Sequence, residues 1–169
     1  TFRLIGDWPH DNGVADHDHY VTWIKTTEYM LPAGGTVYDL FVKAMKDAGL
    51  SHKGASGNYV SSIQAPKEFG SYWLSEFTNG PNSGWMYTVN DGHPNQGLKY
   101  WQLEDGDEVI WHYVDDYTLE SSSEWSGGHP GYLKRWLEAE DISPAQYLKK
   151  YGDTHLILSV GQGGSVEPD

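Results

Sequence analysis

Aromatic and β-branched residues recur at every second position between Gly70 and Val114, and this pattern constrains the fold more than any other stretch. Trp85, Tyr87 and Val89 alternate with Met86, Thr88 and Asn90, and Val109, Trp111 and Tyr113 alternate with Ile110, His112 and Val114. A period of two is the strand signature. Between the runs stand Asn82-Ser83-Gly84, Asn90-Asp91-Gly92 and Asp105-Gly106. These residues accept positive φ at low cost, which tight reversals need. The stretch is expected to form an antiparallel meander of about three or four strands. Both of its faces are partly apolar. A sheet covered by helices on one side needs one apolar face, so a second layer, a ligand or a partner is expected to cover the other.

Upstream, residues 1–8 read as a first strand and residues 20–30 as a second. Between them lies a polar loop, HDNGVADHDH, from His10 to His19. Thr36 to Gly49 is the clearest helix. Thr36 stands at the N-cap, and Asp39 can return its hydrogen bond as in a capping box. Val37, Leu40, Phe41, Ala44, Met45 and Ala48 make one apolar stripe. Gly49 can take the left-handed conformation that ends a helix. A short strand is expected at Asn58–Ile63. Downstream, Gly131–Glu140 reads as a short helix, Ser143-Pro144 as the N-cap and first turn of another, and Thr154–Val160 as a last strand.

The chain has 169 residues, no cysteine, and 11 Lys and Arg against 24 Asp and Glu, for a formal net charge of -13. Such a charge repels phosphate backbones and anionic membrane surfaces, which argues against nucleic-acid binding. Thiolate metal sites, thiol catalysis and disulfide staples are ruled out by composition. No apolar run approaches the roughly 20 residues of a membrane helix, so no membrane insertion is expected. The opening at Thr1 has no leader pattern and reads as a processed fragment. The tail Gly161–Asp169 reads either as a Gly-rich linker or as the start of a following repeat module, so further domains of the same chain are expected. Residues 1–160 are expected to make a single domain in which 115–160 is a C-terminal extension folded back on the sheet, since about 45 residues make a marginal core alone.

The order strand, strand, capped helix, meander is the β-grasp (ubiquitin-like) arrangement: an α+β fold with one main helix across a mixed sheet, here with a C-terminal helical extension. Specific residues add to this. Gly35-Thr36-Val37-Tyr38-Asp39-Leu40, Gly70-Ser71-Tyr72-Trp73, Ser83 to Asn90 (SGWMYTVN), Gln96-Gly97-Leu98 and Leu103 to Ile110 (LEDGDEVI) resemble the transcobalamin-like C-terminal domain, one of the soluble-ligand-binding β-grasp group. The resemblance runs from about Tyr20 to Val114. It implies a module of an exported, multi-domain bacterial surface protein, extracellular or at the cell surface, that meets a small molecule or a partner protein. It also implies that cobalamin or another flat corrinoid is a possible ligand.

Two sets of residues are candidate sites. His17 and His19 lie two apart, so an extended backbone projects both imidazoles to one side, as a divalent metal would need, with Asp16 and Asp18 on the other. Trp73, Trp85, Tyr100 and Trp101 are candidate ligand contacts, because Trp and Tyr give large rigid surfaces with a polar handle. Gly54-Ala55-Ser56-Gly57 lacks a residue of the nucleophile elbow G-x-S-x-G, and no phosphate-cradling GxxxxGK[ST] run occurs. The expectation is therefore a non-catalytic binding or interaction module. The alternative is a hydrolase or metal-dependent enzyme whose carboxylates meet only in three dimensions.

Overall fold

The computed structural model describes residues 1–8, 20–94, 97–114, 116–117 and 135–151. It is a mixed α+β structure with two sheets. In chain order the elements are β1 (Phe2–Gly6), β2 (Val21–Thr27), α1 (Val37–Ala48), β3 (His52–Lys53), β4 (Ser62–Gln64), β5 (Trp73–Ser75), β6 (Gly84–Val89) and β7 (Val109–Val114). A 3₁₀ turn at Arg135–Glu138 and a second helix, α2, over 144–151 follow. Among the described residues, no helix is long and apolar enough to cross a membrane.

The main sheet has the order β2-β1-β7-β6. β1 runs antiparallel to β2 and parallel to β7, with Phe2 opposite Val109 and Ile5 opposite His112. β6 and β7 are antiparallel, Trp85 opposite Tyr113 and Tyr87 opposite Trp111. The parity of these pairs sorts the side chains. Phe2, Leu4, Ile24, Trp85, Val89, Val109, Trp111 and Tyr113 belong to the face that packs beneath α1, whereas Ile5, Val114, Met86 and Ile110 belong to the other.

α1 forms where its sequence dictates. The Thr36 side chain accepts from the Asp39 N–H, and Asp39 returns the bond to the Thr36 N–H. Gly49 closes the helix at φ 72°, with its N–H on the Lys46 carbonyl. The first-turn N–H groups, which no helical carbonyl can reach, are satisfied from outside: Val37 donates to the Trp101 carbonyl and Tyr38 to the Leu98 carbonyl. Val37, Leu40, Phe41, Ala44 and Met45 are buried, whereas Ala48, at the end of the stripe, is exposed.

The meander expected over 70–114 is not continuous. β5 pairs with β4, in a separate three-stranded sheet of order β3-β4-β5. Residues 98–100 form a turn docked on the start of α1. The reason lies between β5 and β6, where the chain reverses through Phe77 (φ 69°) and Gly80 (φ 141°). Two side chains of the main sheet then take β5 carbonyls: Trp85 Nε1 donates to Leu74 O at 2.8 Å and Tyr113 Oη to Ser75 O at 2.7 Å. The small sheet is thus fastened to the large one through side chains. Of the strand expected at Asn58–Ile63 only Ser62 and Ile63 lie in one, β4, which runs Ser62–Gln64; residues 58–61 are irregular. The final strand, Thr154–Val160, lies outside the described residues.

Trp136 and Ala139 cover part of the second face of the main sheet. Trp136 is wholly buried against Ile5 and Val114, its ring stacked on the His112 imidazole at 3.6 Å between centroids and 11° between planes. Arg3 donates to the Ala139 carbonyl and Thr22 to the Glu140 carbonyl, while Asp141 accepts from the Thr26 N–H. Ser143 and Gln146 exchange backbone-to-side-chain bonds around the start of α2, and Tyr147 packs against Trp8 and Phe69. Within the expected 131–140 helix, the described part is the 3₁₀ turn.

Partial burial works to raise the Asp141 carboxyl, but the Thr26 hydrogen bonds and the nearby Arg3 charge outweigh it and hold the group below its ordinary 3.8. A carboxyl depressed on folding stabilises above its unfolded value, and that stabilisation is lost as pH falls through the lower folded value. Asp141→Asn is therefore expected to cost less than about 1 kcal/mol at neutral pH, since the carboxylate is partly solvated. The deficit should disappear below the carboxylate range. Urea melts of both proteins across pH 2 to 7 check this; a deficit that persists in acid would contradict it.

Candidate functional site

The small sheet has a second face, opposite the one packed on the core, on which Lys53 and Trp73 are exposed and Ser62 is buried. Pairing sets its composition. His52 opposes Ile63, which opposes Leu74, and these point to the core; Lys53 opposes Ser62, which opposes Ser75, and Gln64 opposes Trp73. Leu74 and Ile63 are fully buried, whereas Trp73 is 38% exposed. The Lys53 ammonium stands 4.7 Å over the Trp73 ring.

The neighbouring turn, residues 54–59, joins this face to a second cluster. Ser61 N donates to the Lys53 carbonyl and Glu76 N to the Ser61 carbonyl, which places Glu76 beside the β3–β4 hairpin. Tyr59 Oη lies 3.4 Å from Glu76 Oε1. Burial of this half-exposed phenol and the Glu76 carboxylate push it up to about 12, so Tyr59 stays a neutral hydrogen-bond donor at physiological pH. On the other side of the turn, Asn58 Oδ1 accepts from Lys99 N at 2.9 Å, which anchors the 97–100 segment. A side chain on Gly97 would come within 2.9 Å of Asn58 Cγ, so the two segments are in direct contact. Lys99 Nζ stands 5.0 Å over the Tyr38 ring, and Tyr100 is 69% exposed.

The four aromatic residues expected to contact ligand do not share one face. Trp73 and Tyr100 are exposed. Trp101 is half-buried at the rim of the core. Trp85 is a core residue, 4% exposed, with its indole N–H bound to Leu74 and its ring edge-on to Trp23 and Tyr113. A period-two run shows that neighbours alternate between faces, not which face is inside. Lys53, Tyr59 and Lys99 were not singled out from sequence, because their rings and turn partners are distant in the chain. His17, His19, Asp16 and Asp18 lie outside the described residues. Among the described residues, no group of three His, Asp or Glu is placed to hold a metal ion.

A groove of about 510 Å³ lies elsewhere, lined by Ile24, Tyr29, Met30, Lys43, Asp47 and others at the ends of β2 and α1. It includes none of the four aromatic candidates. The Lys43–Asp47 pair, at 3.6 Å, belongs to its lining.

Residues 34–115 match the family model described as a domain of unknown function, DUF4430, which is grouped with the transcobalamin-like families. The matched segment takes in α1 and β3 through β7, and β1 and β2 precede it. No curated protein matches the sequence.

Proposed function

We propose that this chain is a non-catalytic, ligand-binding module of β-grasp arrangement, carried by an exported, multi-domain bacterial surface protein. Its ligand is a small, flat, partly apolar molecule such as a corrinoid, taken up on the face around Trp73. The β-grasp reading is supported by the strand order β2-β1-β7-β6, in which a late strand returns parallel to β1 at the centre, beneath a helix that follows β2. The placement at a bacterial surface rests on the resemblance to transcobalamin-like domains alone.

One observation carries the ligand-binding reading: Trp73 lies exposed on a paired strand whose adjacent carbonyls are clamped by Trp85 and Tyr113. An aromatic held on such a rigid support loses little conformational freedom on binding, which is what makes exposed Trp and Tyr effective contacts. Calorimetric titration with cyanocobalamin and with cobinamide tests the ligand. Trp73→Ala is expected to weaken binding by roughly tenfold or more while leaving the thermal midpoint nearly unchanged, the behaviour of a contact residue outside the core. Absence of heat with either compound would remove the corrinoid assignment. Unchanged affinity in Trp73→Ala would remove the face.

A further inference from the structure

We propose that the groove between the end of β2 and the last turn of α1 binds a small organic cation: an ammonium group on an apolar body. This site is separate from the Trp73 face. The groove, of about 510 Å³, brings Ile24, Tyr29, Met30 and Ala48 into one lining with Glu28 and Asp47. That volume lies within the range of small-molecule sites. Ile24 is buried on β2, and the Tyr29 ring packs edge-on against Phe2 at 6.4 Å, so two of the apolar groups are held by the core. Met30 is 89% exposed, and its unbranched thioether can adapt to the shape it meets. Ala48, the exposed end of the apolar stripe of α1, completes the apolar part.

Charge decides the class of ligand. The lining holds two carboxylates, Glu28 and Asp47, against one ammonium, Lys43, which stands 3.6 Å from Asp47. One negative charge is therefore in excess. Asp47 and Ala48 belong to the last turn of α1, where the negative end of the helix dipole favours a cation. Burial raises the Tyr29 phenol, the Thr27 hydroxyl opposes this, and the Asp47 carboxylate adds to it. Tyr29 is thus neutral, and the face of its ring attracts cations. An anionic ligand would meet the excess carboxylate and the helix end as repulsion. An uncharged one would gain nothing from them. An apolar cation uses both the apolar lining and the excess charge.

4-Phenylbutylammonium and the uncharged 4-phenylbutanol are the probes, followed through the Met30 methyl signal of the whole chain labelled with carbon-13 methionine. Met30→Leu assigns that signal. Both probes are expected to shift it. At low salt the ammonium is expected to bind about tenfold more tightly than the alcohol, the gain of a charge-assisted contact. That advantage should shrink at about 300 mM salt, where exposed charges are screened. Glu28→Gln combined with Asp47→Asn is expected to abolish it. Lys43→Gln, which removes the competing ammonium, is expected to tighten binding of the ammonium probe about threefold. Equal affinities for the two probes, or a Lys43→Gln variant that fails to tighten the ammonium, would overturn the cation assignment. A Met30 signal that neither probe moves would overturn the groove as a site.

Discussion

Phe41→Ala is expected to lower the unfolding free energy by about 3–5 kcal/mol, the range for deleting a fully buried phenyl ring. Phe41 is 0% exposed. Its ring lies 4.4 Å from Trp111 on β7, 6.2 Å from Phe2 on β1 and 5.0 Å from His52 on β3. It therefore joins the helix to both sheets at once, and Trp111 in turn stacks on Tyr87 at 4.5 Å. These rings come from distant strands, so no single element can shift to fill the void. Domains of this size have only about 5–15 kcal/mol of total stability, so the variant should unfold at a much lower urea midpoint. A loss below about 1 kcal/mol would mean that the packing between α1 and the sheets is not as described.

Trp136→Ala is expected to have an effect of similar size, about 3–5 kcal/mol, by a different route. Among the side chains described over 136–151, Trp136 is the one that is wholly buried. Removing it exposes His112, Ile5 and Val114 and leaves the Arg3, Thr22 and Thr26 contacts as the remaining attachments to β1 and β2. Hydrogen exchange distinguishes the two variants. Phe41→Ala should raise exchange throughout the cooperative unit, whereas Trp136→Ala should raise it first in residues 135–151 and on Thr26. If Trp136→Ala melts like the parent, the 135–151 segment is not part of the folding unit.

The legibility of the sequence follows the range of the interactions. α1 can be read because its determinants are local: Thr36 and Asp39 three residues apart, a stripe at helical spacing, and Gly49 at the stop. The start of α2 at Ser143-Pro144 is readable for the same reason. The partner of β5 is not, because pairing with β4 depends on which strand edge lies nearby in space. Trp73 and Trp85 illustrate the limit. Both sit in strands and both neighbour apolar residues, yet one ring is outside and the other is hydrogen-bonded in the core. The decision is made by parity against Leu74 and Ile63 in one sheet and against Tyr113 in the other. The excess of aromatic residues on both faces of the main sheet does foretell a second covering layer, and Trp136 supplies part of it. The lysines over Trp73 and Tyr38 leave no trace in sequence, since each pair joins residues from separate elements.

The parallel pairing of β1 with β7 at the centre of the main sheet has a mechanical consequence. Phe2 lies opposite Val109 and Ile5 opposite His112, so the N-terminal end of β1 and the C-terminal end of β7 are at opposite ends of the pair. Tension applied through the chain at Phe2 and Val114 loads the hydrogen bonds between these strands along their length. The bonds must then slip together, as in shear, instead of opening one after another like a zip. In a domain tethered in this way, the load is expected to fall on the seam between β1 and β7.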